Sequence, residues 1–381
     1  MSRYKKTTIA VAMAVITGSI PFSTAIASED ELHQEILNLK HKMERLEKSR
    51  KTANAAEKTE SRWSDNITLS GLVEVEASYT DGPDGSESDL TLATVELGID
   101  AQVTPWVGAH VLILFEENDP DDTFEIDEGI ITLGNPDVSH FALAAGRMYV
   151  PFGNFESQMV SDPLTLEIGE TRETSVQVGY VSDGLYGSAW LSNGDTNDDG
   201  GDHIEQFGFN LGLTRDAEEG GVGYDIGLSW TNNMADSDTL QEVVTDAGNL
   251  AYKVAGYGIH GLVRTGLFTL IGEYLTASKS FDTADLAFNG SGAKPSVFNL
   301  EAGYDFELAG KGANVAVAWQ GTRDALALEL PETRYLAALS VGIFENTTLA
   351  FEYAHDEDYD TSKGGSGEDS DTFTAQLSVE F

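Results

Sequence analysis

The sequence predicts an all-β fold: a transmembrane antiparallel β-barrel of about 16 strands, preceded by a short N-terminal coiled-coil helix. Three observations carry this expectation. From residue 66 onward, apolar and polar residues alternate with period two. Several alternating segments reach nine residues or more, longer than the ~5–6 of an ordinary globular strand and close to the ~9–11 of a tilted bilayer span. The connections between them are alternately short and long, as in a barrel with tight turns at one rim and loops at the other.

Composition narrows the function classes. The chain has 381 residues, 22 Lys and Arg against 64 Asp and Glu, and a net charge of −42. A nucleic-acid partner is excluded, because binding phosphates needs a basic face that displaces counterions. With no cysteine, disulfides, thiolate zinc sites, iron–sulfur clusters and thiol nucleophiles are excluded too.

Taken in order, residues 1–27 read as a secretory signal peptide. Arg3, Lys5 and Lys6 form a basic start, Ile9 to Ile20 is apolar with small residues, and Ala25-Ile26-Ala27 is a cleavage signal. No later stretch has ~18 consecutive apolar residues, so no transmembrane helix is expected. Export with a cleaved leader is therefore expected. Residues 28–50 read as a helix: Leu32, Ile36, Leu39, Met43 and Leu46 fall at a/d spacing for about two heptads. So short a coiled coil needs support, from trimerised barrels or another surface. The same stripe would also suit an amphipathic helix lying on the protein's own base. Residues 51–65 read as a polar linker and 66–381 as the barrel. Residues 28–64 balance eight acids with eight bases, so the acidic excess belongs to the barrel region.

Within the barrel the faces are explicit. Ile67, Leu69, Val73, Val75 and Tyr79 oppose Thr68, Ser70, Glu74 and Glu76. Phe298, Leu300, Ala302, Tyr304 and Phe306 oppose Asn299, Glu301, Asp305 and Glu307. Successive side chains of a strand point to opposite faces, so each segment has a lipid-type and a water-type side. Strands are expected to start near 66, 90, 107, 124, 139, 173, 184, 203, 221, 253, 267, 296, 312, 333, 346 and 371. Short connections include Thr104-Pro105-Trp106, Asn135-Pro136-Asp137 and the two-residue hairpin Asp183-Gly184. Long ones include 80–89, 150–172, 232–252, 278–295 and 356–370. Trp106, Trp190, Trp230 and Trp319 suit interfacial girdles. A secreted soluble β-sandwich is the competing fold.

Sixteen strands enclose an aqueous channel rather than a packed interior. Glu74, Glu76, Glu96, Asp100, Glu301, Asp305 and Glu307 are the candidate lumen residues, and an acid-lined pore favours cations. Much of the charge would also solubilise loops such as those carrying Asp81 to Asp89 and Asp356 to Asp360. Asp195, Asn197, Asp199 and Gly200 match the first half of a calcium loop, but the twelfth position is Gln206. Loose Ca²⁺ binding by Asp195, Asp199 and Asp202 is the metal expectation, and no other cofactor is expected. No catalytic constellation appears.

The segment from Gly146 and Arg147 through Pro151, Phe152 and Gly153 to Glu156 resembles a passage of outer-membrane porins. With its continuation from Asp162 to Arg172, the coiled coil and the opening strand Ser70 to Glu76, the chain resembles the LbtU family of siderophore porins. The terminal Phe381, ending an alternating strand, resembles the assembly signal of Gram-negative outer-membrane proteins. The resemblance implies an outer-membrane barrel, among outer-membrane lipid and lipopolysaccharide, that passes ferric siderophores without TonB machinery. It implies that the third long loop, 150–172, folds inward and narrows the pore, with Asp162, Glu167, Glu170 and Arg172 lining the constriction. Strict alternation puts Arg147 on the face of Phe141 and Leu143, so a lumen-facing Arg147 needs a bulge. An acidic pore should repel anionic ferric siderophores. Either the substrate is neutral or cationic, or Arg147, Arg172, Arg264 and Arg334 form a local basic ladder, or the protein is a general cation-selective diffusion porin. A structural tether between outer membrane and cell wall is the reading from another class.

Overall fold

The computed structural model describes residues 66–381 except 84, 118–122, 199, 202 and 218–220. The leader, the coiled-coil helix and the linker lie outside the described residues. Sixteen strands form a closed barrel in which each pairs antiparallel with its sequence neighbours. They are β1 Ile67–Gly82, β2 Gly85–Thr104, β3 Val107–Phe115, β4 Glu125–Gly134, β5 Phe141–Tyr149, β6 Arg172–Ser182, β7 Leu185–Ser192 and β8 Gln206–Arg215. They continue with β9 Val222–Thr231, β10 Gly256–Thr265, β11 Phe268–Ala277, β12 Ser296–Leu308, β13 Lys311–Arg323, β14 Thr333–Phe344, β15 Thr347–Glu357 and β16 Asp369–Glu380. β16 closes on β1. Beyond the strand end, Gly71 N donates to Phe381 O at 2.8 Å and Phe381 N to Gly71 O at 3.0 Å.

Period two explains this architecture. Leu69, Ile259, Phe268, Leu270 and Val317 stand exposed on the outer face, while the positions between them turn inward. A soluble protein would hide that apolar belt; a barrel in lipid presents it, with every strand paired so that no backbone group is left open to hydrocarbon. Aromatic pairs reinforce the belt across strands, Phe209 on Trp230 at 5.6 Å and Phe298 on Trp319 at 4.8 Å. Trp190 does not join it. It is buried on the inner face, packed over Gly208, where a β-carbon would sit 2.7 Å from the indole.

The strands start within three residues of their expected positions, with one exception. β2 begins at Gly85, not near 90, and β1 runs on to Gly82. Tyr79 still pairs with Ser88 and Asp81 with Ser86, so most of the expected loop 80–89 is a projecting hairpin. In water a hairpin satisfies its own backbone groups, which an acidic loop would leave to solvent. The Asp183-Gly184 turn is as expected, with φ of 50° and 81° at its two positions, the backbone of a tight hairpin.

A packed core lies inside the barrel, not in its wall. Phe152, Leu164 and Ile168 of the third loop meet Met234, Leu240, Leu250 and Val254 of 232–255, Phe281 and Leu286 of 278–295, and Leu328 of 324–332. Leu275 and Val297 supply the wall side of this cluster. Burying each large side chain contributes about 1.5–3 kcal/mol, so the long loops form one folded mass. Two short helices belong to it, α1 Leu164–Gly169 and α2 Asp238–Val243. α1 starts after Pro163, whose fixed φ suits the position before a helix.

Candidate functional site: a loop docked on wall glutamates

The third loop leaves β5 and returns to β6 through a neck where Val150 N donates to Thr171 O at 2.9 Å. Between these points it lies against the opposite inner wall. Three wall carboxylates, each from a different strand, receive its backbone. Glu273 of β11 accepts from Asn154 N at 2.6 Å, Phe155 N at 3.1 Å and Thr165 Oγ1 at 2.8 Å. Glu301 of β12 accepts from Ser157 Oγ and Gln158 N, both at 2.8 Å. Glu352 of β15 accepts from Val160 N and Ser161 Oγ, both at 2.6 Å. Gln320 of β13 adds an acceptor for Leu164 N at 3.1 Å. The loop thus crosses β11, β12 and β15 on a ladder of charge-assisted bonds, each worth about 1.5–3 kcal/mol, with a neutral bond at β13.

Two glycines permit the close approach. Gly153 has φ of 95°, a conformation other residues avoid. On β12, the Gln158 amide fills the space over Gly303, where a β-carbon would stand 2.0 Å from its Oε1 and push that side chain aside.

Across the lumen the wall is acidic and open. Glu74 and Glu76 of β1 and Glu96 of β2 sit on the inner face with intermediate exposure, so water reaches them. Gln376 donates to Glu76 at 2.9 Å, and His110 meets Asp100 at 2.8 Å and Glu128 at 3.5 Å. The loop faces this wall with Asp162. Burial first, then the charges of Glu167, Glu116, Glu76 and Glu74, hold the Asp162 carboxyl well above the usual aspartate range. Acids from both sides of the path therefore act on one another. Burial pushes the Glu167 carboxyl up to about 7, against the opposing pull of Arg334. Burial also raises Glu170, helped by Asp238, Asp162, Asp127 and Glu167.

The four arginines do not assemble into a ladder. Arg334 grips Asp356 with two bonds, Nε to Oδ1 at 2.7 Å and Nη2 to Oδ2 at 2.8 Å. Arg172 pairs with Glu125 at 2.7 Å and with Asp127, at the foot of the loop's return. Arg264 stands exposed toward the turn end of the inner face, where its charge acts on Glu156 and Asp225. Arg147 is a correction to its place in the substrate path. It pairs with Gly129 and Thr174 in an unbroken register with Phe141, and so shares the outer face with it. No bulge intervenes in β5 to turn it inward.

Other candidates divide similarly. Glu301 is inward, but it is buried beneath the loop rather than bare in the channel. Asp305 accepts from Asn314 at 2.7 Å, and Glu307 is exposed near the turn end of β12. Asp195 belongs to the loop 193–205, while Asp199 and Asp202 lie outside the described residues. Glu273 and Glu352 were missed. Glu352 had a usable signal, standing between Phe351 and Tyr353 in clean alternation. Glu273 did not, because inward positions of β11 also hold Ile271 and Leu275.

The Arg334–Asp356 pair offers a direct check on the loop-side rim. Asp356→Asn leaves the half-buried guanidinium without its two-pronged counter-charge, at a cost of about 1.5–3 kcal/mol, the worth of a hydrogen bond to a charged group. The expected result is a lower temperature for the loss of folded-barrel mobility in unboiled gels. An unchanged temperature would show the pair to be solvated.

Fold and site together define the class: a sixteen-stranded barrel with an inward-folded third loop, the porin fold. Among solved structures it is similar to an anion-selective porin from Comamonas acidovorans, with TM-score 0.60, 13% identity, and 83% of this chain and 99% of that one covered. It is also similar to the outer membrane channel DcaP of Acinetobacter baumannii, with TM-score 0.56, 13% identity, and coverage of 83% and 97%. A third is the trimer form of OmpT, an outer membrane protein of Vibrio cholerae, with TM-score 0.51, 11% identity, and coverage of 83% and 100%. At these identities the likeness is one of fold. In sequence the chain is similar to a UPF0422 protein of Coxiella burnetii, 31% identical over 307 residues, 77% of this chain and 64% of that protein. A UPF0422 protein of Legionella pneumophila is 29% identical over 352 residues, 83% of this chain and 66% of that protein. The chain spans just under two thirds of the length of these relatives. No family model matches it.

Proposed function

We propose that this protein is a passive channel of a Gram-negative outer membrane, favouring cationic and neutral small solutes. One observation carries the reading. The path between the docked loop and β1–β2 is lined by Asp162, Glu74, Glu76 and Glu96, while Arg334 and Arg172 are tied up in ion pairs. Fixed carboxylates along a water-filled path raise the local cation concentration. The apolar outer belt supports a lipid-embedded barrel, and the trimer form of a similar barrel supports a homotrimer.

Siderophore passage, implied by the resemblance around residues 146–172, is the narrower reading. The charge of the path restricts it to neutral or positively charged ferric complexes. Stepwise conductance in planar bilayers tests the channel itself, and its absence with a correctly folded barrel would favour a tether. Iron–siderophore uptake by a strain lacking the gene, with and without the protein restored, tests the narrower reading.

A further inference from the structure

A second polar site lies at the loop-side rim, away from the channel path. Glu173 and Ser175 of β6, Ser192 of β7 and Gln206 of β8 stand in one row on the inner face, since Ser175 pairs with Ser192 and Ser192 with Gln206. All four are buried, Gln206 completely. Loop 232–255 brings Asp236, 2% exposed, against this row. Its Oδ1 is fully used, accepting from Asp195 N and Thr196 N at 2.8 Å each and from Thr196 Oγ1 at 3.1 Å. Its Oδ2 has no hydrogen-bond partner, and neither do Gln206 Oε1, Ser175 Oγ or Ser192 Oγ.

Gln206 and Asp236 meet at one point beside this row. The point where a Gly194 β-carbon would stand is 2.4 Å from Gln206 Cγ and 2.8 Å from Asp236 Oδ2. The Glu173 carboxyl comes within hydrogen-bonding reach of Asp236, with the charges of Asp195 and Asp238 nearby. Two buried carboxylates in contact need something positive between them, a shared proton or a cation. Two carboxylates, an amide oxygen and hydroxyls are an all-oxygen set, the donor chemistry of a hard divalent ion. Buried orphan acceptors normally cost free energy, and a cation would satisfy several at once.

We propose that Glu173, Gln206 and Asp236, with Ser175 and Ser192, bind a calcium ion. Bound there, it would join loops 193–205 and 232–255 to β6 and hold the outer loops over the barrel mouth. The site differs from the sequence-level calcium loop, sharing with it only Asp195 as a neighbouring charge and Gln206 as a ligand. It does not depend on what the channel transports.

The test uses the full chain folded in detergent and stripped with a chelator. Ca²⁺ is titrated while Trp190 fluorescence is followed, two residues from Ser192 on the same strand, together with amide exchange at Asp195 and Thr196. A saturable transition is expected, with a dissociation constant on the order of 10⁻⁴ M, and with slower exchange at both amides. Glu173→Gln should weaken it at least tenfold. Gln206→Met keeps the volume, deletes the amide oxygen and should also weaken it, which covers the case of a misfolded Glu173 variant. Weak binding by surface acids would persist in both variants. Superimposable titrations of wild type and variants, or no Ca²⁺ response in the wild type, would overturn the proposal and leave a carboxyl pair sharing a proton.

Discussion

Replacing Glu273, Glu301 and Glu352 together by alanine is expected to raise the single-channel conductance severalfold while the barrel still closes. Each carboxylate holds loop N–H or hydroxyl groups at 2.6–3.3 Å, and together they span the loop from Asn154 to Thr165. Water in the lumen can solvate the freed amides, so the wall tolerates the loss. The loop then keeps its apolar contacts through Phe152, Leu164 and Ile168 and the neutral bonds from Leu164 N to Gln320 and from Gly153 N to Ser229. Deleting Ser157 to Leu166 should widen the path further, because it removes the segment that crosses the lumen as well as two buried leucines. Retained folded-barrel mobility, with higher and noisier conductance, is the expected combination. Conductance unchanged in both variants would place the loop outside the route of ions.

The second large effect concerns selectivity. In a KCl gradient at low salt, the reversal potential should be strongly cation-favouring. Glu74→Gln, Glu76→Gln and Asp162→Asn in combination should largely abolish that preference. The screening length falls from ~30 Å at 0.01 M to ~3 Å at 1 M, so the preference should fade in concentrated salt. Glu301 is not the residue to test for wall charge, since it is committed to Ser157 and Gln158. pH adds a signature. Asp162 gains its proton at a higher pH than a free aspartate does, so cation preference should weaken on acidification before ordinary carboxylates titrate. Loop docking follows the same direction. The folded form holds a proton on Glu167 between its usual 4.5 and about 7, so docking is favoured as pH falls through that window and disfavoured as pH rises through it. Conductance noise should therefore grow as pH rises from about 4.5 to about 7 and level off above neutrality. A selectivity constant down to pH ~5, near the ordinary carboxylate range, would show that Asp162 does not face the permeating ions.

Most of the strands, their faces and the place of the third long loop were legible in the residue order. Period two is a local property: Phe298, Leu300 and Tyr304 against Asn299, Glu301 and Asp305 specify an apolar and a polar side whatever else the chain does. Turn chemistry is local as well, which is why Asp183-Gly184 was readable. Only the tertiary structure decided what covers each inner face. Glu74 and Glu301 look alike in sequence, yet one stays in water and the other accepts bonds from a loop 143 residues away. The same holds for the cations. Arg334 and Asp356 become partners through the register of β14 with β15, and the unbroken register of β5 sends Arg147 outward. Alternation assigns a side chain to a face; which distant backbone groups and counter-charges meet it there is set by closure of the barrel and the docking of its loops.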